Sequence, residues 1–550
     1  MEGITLSIKT APVWMSFILF IASLLAWPIS ICLILFYRHS VLKSMRRGAN
    51  TTNASTATPA PHVSLPVPEL VFVDSRKTDW ALNQQVYQKL VRTPWRVAIV
   101  YALAGCAFAL ITAAALVFSA GSYKFWIAAF ILVFWIRAWP IVLTVNIVAL
   151  ANFRARFVTV ILYFAVLAVI SIAINLTSSH PSWAGPAELW LISAGLPSLL
   201  LLAFLNRRIR AVGPLVLIFL TISAFGSLLV ISLLGNSEVA MRLLAFADRA
   251  IPGLVILVAF VFLGFALAAP FGWLMLLWIR KRYQLKKTSD QTITIDAIWL
   301  LFGVVISLQL SQDGLWALSG LFAFLVYKIV SLIGLHLIRP SSAVDRKLLV
   351  LRVFALGKRS RRLFRWLAMY WRYAGSVQLI AGTDLAAENL EPHEFLDFLS
   401  GKLGRSFIDD PQMLDRKLAE MDAHPDHDGR FRVNEFFCHD NTWRMVLDRL
   451  VSNTDVVFMD LRGFSRLNGG CIFEINELIN VVSLDRVQFI TDSTTDEPFL
   501  VENIRQSWQH IRHNSPNALS KSPQLRMFRL NRTSGGELKA LLRALAAATN

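Results

Sequence analysis

The stretch DVVFMDLRGFSRLNGGCIFE, residues 455–474, changes character twice. It opens as a short unbroken apolar run, passes through a loop of Gly, Asn and Ser, and closes on a helical pattern that carries a glutamate. A brief apolar run bounded by turn residues reads as a strand buried on both faces. A strand, a loop and a helix in succession form the unit from which helix-covered parallel sheets are built. The same alternation recurs on both sides. LLVLRVFAL, SVQLIAG, RVNEFFC, DRVQFIT and QLRMFRL read as further strands. RSRRLFRWLAMYWRY, PHEFLDFLSGKL, PQMLDRKLAEMD, TWRMVLDRLV, PFLVENIRQSWQHI and GELKALLRALAAA read as the helices around them. Residues 341–550 are therefore expected to form one α/β domain with a mainly parallel sheet, a usual size for such a unit.

The chain upstream has a different character. Of 550 residues, 55% are hydrophobic and only 16% charged, against roughly 25% charged in soluble proteins. Apolar runs long enough to cross a bilayer recur at 12–37, 97–120, 125–151, 157–175, 189–205, 214–234, 251–279, 293–310 and 315–338, about nine spans of an α-helical membrane protein. Run 125–151 is interrupted by Arg137 and Pro140, so it reads as one tilted, kinked helix or as two short segments. The first run is too long for a signal-peptide core. Basic residues gather on alternate flanks: Arg38, Lys43, Arg46 and Arg47, then Arg154 and Arg156, then Arg207, Arg208 and Arg210, then Arg280, Lys281 and Arg282, then Arg339. That asymmetry predicts an N-terminus outside the cell (inner) membrane and a cytoplasmic C-terminal domain. Residues 1–47 are the expected anchor, 48–96 a Thr/Ala/Pro-rich linker with an amphipathic segment, and 97–340 the multi-span bundle. The net charge of +18 follows from these membrane flanks, so the expected partner is the lipid bilayer and not nucleic acid. Four scattered cysteines form no CxxC pair and imply neither a disulfide framework nor a metal site.

In open α/β sheets ligands bind beyond the carboxyl ends of the strands. Those ends carry Asp384, Asp460 with Ser465, and Asp492 with Ser493 and Thr494. The aspartates could converge on one crevice and hold a cation or ribose hydroxyls. Equally, Asp and Ser at strand ends cap helices and close Asx-turns. Gly357-Lys358 lacks the upstream glycine of a phosphate loop, and Arg359 stands where Ser or Thr is needed. HPDHDGRF, residues 424–431, reads as a turn feeding a strand. Cys438-His439-Asp440 are adjacent, whereas catalytic trios are assembled from distant positions. In the membrane half, Arg137 and Lys328 lie within apolar runs, where they can snorkel, face the bundle interior or serve transport.

TWRMVLDRLVSNTDVVFMDLRGFSRLNGGCIFEINELI, residues 442–479, resembles the middle of a Toll/interleukin-1 receptor (TIR) domain. In that family a helix, a hydrophobic strand and a serine-bearing loop precede a Trp-Cys-x-x-Glu pattern. The resemblance implies a flavodoxin-like fold over 348–550. It matches Glu474 to the glutamate of NAD-cleaving members and places Ser465 beside the nicotinamide ribose, with NAD as substrate. The chain departs from the family at Gly470, which stands in place of the Trp, at ALGKRS after the first strand, and in an extra segment at about 406–440. On a helical wheel Cys471, Ile472, Ile475, Leu478, Ile479 and Val482 form one apolar stripe, with Glu477 opposite in water and Glu474 on the flank near the helix start. A carboxylate there gains about 0.3–1 kcal/mol from the helix N-terminus, which is reason enough for it without catalysis. The function expected is a membrane-anchored signalling or effector protein whose cytoplasmic domain takes a nucleotide, a protein partner or a second copy of itself. A non-catalytic adaptor and a transporter with a regulatory domain are the alternatives.

Overall fold

The structure, a computed structural model, describes residues 11–45, 68–77, 81–120, 126–150, 153–177, 184–195, 198, 212–235, 253–310, 314–338, 345–353, 358–381, 392–401, 407–421, 423–439, 441–531 and 534–549. It divides into two compact units. One comprises Met1–Phe36, Val97–Ile338 and Leu390–Leu396, the other Tyr37–Arg96, Arg339–Asn389 and Asp397–Asn550.

The first unit is helical. Among the described residues seven helices are long and apolar enough to cross a membrane: Leu24–Met45, Gln84–Ser119, Ile127–Val148, Arg154–Leu176, Val258–Gln284, Asp290–Ser307 and Ser319–Ile338. The expected run 214–234 is also helical, as Gly213–Gly235. Run 189–205 lies largely outside the described residues. Run 125–151 forms two helices, Trp126–Arg137 and Trp139–Val148, with Ala138 between them and Pro140 in the first turn of the second. Proline has no N–H to donate back along a helix, so the ladder is interrupted there. Small residues let helices Gly213–Gly235 and Gly253–Gln284 meet closely: a Cβ on Gly226 would lie 2.2 Å from the Cβ of Ala268. This is the close backbone approach by which membrane helices associate without a hydrophobic driving force.

The second unit is built on eight strands: β1 (Val71–Asp74), β2 (Leu348–Arg352), β3 (Val377–Ile380), β4 (Phe407–Ile408), β5 (Val433–Cys438), β6 (Val456–Asp460), β7 (Val487–Thr491) and β8 (Gln524–Arg529). Their order is β1-β8-β7-β6-β2-β3-β5-β4, and every pairing is parallel. β2, β6 and β7 are buried along their whole length, as unbroken apolar runs require when helices cover both faces. Leu349, Leu351, Val457, Met459, Ile475, Leu478 and Phe489 belong to one continuous core.

Chain order and spatial order together locate a reversal. From β2 the chain steps outward to β3 and on to β4 and β5, then crosses back to lay β6 on the other side of β2. The register at that junction pairs Arg352 with Asp460. With β1, β4 and β5 left out, the strands β3-β2-β6-β7-β8 run 2-1-3-4-5 in chain order.

β1 comes from the 48–96 segment read as a linker. Val71 N donates to Pro523 O at 3.0 Å and Ser75 N to Met527 O at 2.8 Å. Trp508 Nε1 donates to Pro68 O at 2.9 Å, and Ser75 Oγ to Gln488 Oε1 at 2.9 Å. Leu70 is buried in the same core, and the Arg76 guanidinium lies 4.8 Å over the Phe528 ring. The sheet domain is thus made from two separated stretches of chain.

Candidate functional site

The carboxyl ends of β2, β6 and β7 gather charged side chains from three strand-to-helix turns. Asp460 ends β6 and is 2% exposed. Arg462, two residues on, grips it from both nitrogens of its fork: Nε donates to Oδ1 and Nη2 to Oδ2, each at 2.7 Å. Gly463 follows with φ +70°, a left-handed turn that suits glycine and brings the chain back over the strand end. Ser360 Oγ donates to Asp460 Oδ2 at 3.4 Å from the helix that follows β2.

Asp492 stands just past β7. It accepts from Thr494 N at 2.9 Å and Thr494 Oγ1 at 2.6 Å, and it forms an ion pair with Arg359. Burial alone would raise its pKa. The Thr494 hydrogen bonds and the Arg359 and Arg462 charges outweigh burial and hold the carboxyl below its ordinary value. Arg359 lies in the first turn of helix Lys358–Trp371, whose opening is Lys-Arg-Ser-Arg-Arg, and its side chain stays 49% exposed. The Arg462 Nη2 also donates to Arg359 O at 3.4 Å. One network therefore ties the ends of β6 and β7 to the helix after β2.

Ser465 takes another role. Its N and Oγ both donate to Asn468 Oδ1, at 2.8 and 3.1 Å, and its Oγ accepts from Leu467 N at 3.4 Å. It closes the local turn before helix Gly469–Val481. Asp384 lies outside the described residues.

Glu474 departs from the wheel reading. It is 3% exposed, not on a rim, and its Oε2 has no hydrogen-bond partner. Burial pushes its pKa up to about 8, against the opposing pull of Arg352, so the carboxyl is held protonated at neutral pH. Cys471 faces the same place, with Sγ 3.8 Å from Arg352 O, and burial raises its thiol too. Glu477, expected in water, is also buried and is gripped by Arg512. The wheel treats a helix as having one covered side. Helix Gly469–Val481 is covered on more than one, because Arg512 and Asn517 reach it from the segment after helix Glu497–Gln509.

Three groupings were beyond sequence reasoning. His439 meets two groups distant in the chain, while Asp440 lies outside the described residues. Its Nε2 meets Asp409 Oδ1 at 2.7 Å and its Nδ1 meets Ser44 O at 3.1 Å. Asp409 directly follows β4, and only the pairing of β4 with β5 brings it beside His439. At the 424–431 turn, Arg432 grips buried Asp426 at 2.9–3.3 Å. In the helical unit, Lys328 pairs with Asp296, which the apolar run had concealed. Among the described residues no group of three or more His, Cys, Asp or Glu is arranged to hold a metal ion.

Comparison with family models, with curated proteins and with solved structures found no match to this chain.

Proposed function

We propose that this chain is a membrane-anchored signalling or effector protein whose sheet domain binds a phosphate-bearing, nucleotide-class ligand at the β2/β6 reversal. The observation that carries the reading is Arg359. It is half-exposed in the first turn of the helix after β2 and reaches across the reversal to Asp492. Ligands of open α/β sheets lie where the strand order reverses, and a helix start favours anions. Arg362 adds positive charge to the same helix start.

The strand order 2-1-3-4-5, once edge strand β1 and the 406–440 segment are set aside, is that of flavodoxin-like sheets and supports a TIR-like core with an insertion. NAD cleavage by Glu474 has less support. A catalytic carboxylate must reach its substrate, whereas this one is enclosed and neutral. The reading is therefore of binding, with Glu474 as a structural carboxyl. The basic flanks of the spans support an N-terminus outside and a cytoplasmic sheet domain in a bacterial inner membrane.

The test is isothermal titration of the full chain in lipid nanodiscs with NAD and with ATP. Arg359→Ala is expected to weaken binding about tenfold, the loss of roughly 1.4 kcal/mol. Glu474→Gln is expected to leave affinity unchanged. Equal affinity in wild type and Arg359→Ala sinks the proposal. Nicotinamide release that Glu474→Gln abolishes would restore the catalytic reading.

A further inference from the structure

Beside the break in the span Ile127–Val148 lies an arginine with no countercharge among the described residues. Arg137 ends the first half of the span and is 3% exposed. Its Nη2 donates to Gln309 Oε1 at 2.8 Å. Its Nε and Nη1 are buried and have no hydrogen-bond partner. Gln309 is neutral, so the guanidinium charge stays uncompensated. A single charge left buried without a partner costs several kcal/mol, and a guanidinium cannot shed its proton as readily as a lysine. The half-buried Lys328 of the same helical unit, by contrast, has its carboxylate in Asp296. The polar groups near Arg137 are engaged elsewhere: Trp135 Nε1 donates to Tyr163 O at 3.2 Å, and Tyr163 OH donates to Trp135 O at 3.0 Å.

We infer that Arg137, with Gln309 beside it, seats a small monovalent inorganic anion of the chloride class inside the helical unit. One negative charge balances the guanidinium, whereas a dianion would leave an excess buried charge. Nε and Nη1 are covered by the surrounding chain, so only a small ion that shifts neighbouring side chains can reach them. A lipid phosphate does not suit the place. Arg137 lies near the middle of its span, about 15 Å of helix from either end at 1.5 Å per residue. This inference is independent of the ligand proposed for the sheet domain.

The test is the thermal unfolding midpoint of the full chain in detergent, titrated with sodium chloride replacing sodium gluconate at constant ionic strength. The wild type is expected to show an upward shift that saturates with chloride, the signature of a ligand that binds the native state. Arg137→Gln removes the charge and is expected to lose the shift. Gln309→Glu keeps the arginine and supplies a built-in carboxylate. It is expected to fold, to match or exceed the wild-type midpoint in gluconate, and to lose the chloride response. Absence of a saturable shift in wild type overturns the inference. So does a wild-type response retained in Gln309→Glu, which remains informative if Arg137→Gln fails to fold.

Discussion

Glu474 is buried near Arg352 with one carboxyl oxygen unpartnered among the described residues, and its protonation is linked to the stability of the domain. Its pKa rises from 4.5 to about 8 on burial. Between those values the folded chain holds a proton that the unfolded chain has released. Stability from this group is therefore complete below 4.5, falls as pH rises through the window, and is lost above about 8. Glu474→Gln has no proton to lose. It is expected to flatten the fall in thermal midpoint between pH 5 and 8.5 and to exceed wild type at the alkaline end. An unchanged slope would mean that the carboxyl is not buried neutral. The strand-end aspartates were legible as residues because each follows an apolar run. Their partners were not. Arg359 meets Asp492 across 133 positions of chain, a distance that no local pattern spans.

At the scale of elements, β1 is the informative case. VFVD is four residues long and follows a Pro-rich stretch, so nothing local separates it from a linker. It becomes a strand because β8 offers a parallel edge, with Val71 opposite Gln524 and Asp74 opposite Met527. Edge strands are held by their ladder bonds, and Val71→Pro deletes the donor to Pro523 O. The variant is expected to show faster amide exchange across 68–77 and faster tryptic cutting at Arg76 and Lys77, with β6 protection unchanged. Equal exchange in the two proteins would show that the side-chain anchors at Trp508 and Gln488 hold the segment without the ladder. The opposite case is run 125–151, whose interruption was visible in Arg137 and Pro140. There the chemistry of one proline is local, and so the break was legible.

At the scale of the whole molecule, the sheet domain is completed by a strand that the chain makes some 270 residues before β2. Residues 341–550 alone would leave the β8 edge bare, with Leu525 and Phe528 deprived of the cover that Leu70, Phe72 and Arg76 supply. The isolated stretch is expected to self-associate. Adding a peptide of residues 68–77 in excess is expected to return it to a monomer with a higher melting point, read by sedimentation and thermal unfolding. A monomer whose melting point ignores the peptide would show that β1 is dispensable.

The sequence by itself determined the two characters of this protein: apolar helices long enough to cross a membrane, and strands alternating with helices into a parallel sheet. Both are periodic properties of neighbouring residues, and hydrophobic burial acts on such patterns directly. Tertiary structure alone decided which charges face each other. It paired Asp492 with Arg359, Lys328 with Asp296 and His439 with Asp409, and it buried Glu474. The reason is that a charge is stabilised by whatever lies within a few ångströms of it, and strand order and helix covering, not position along the chain, set what that is.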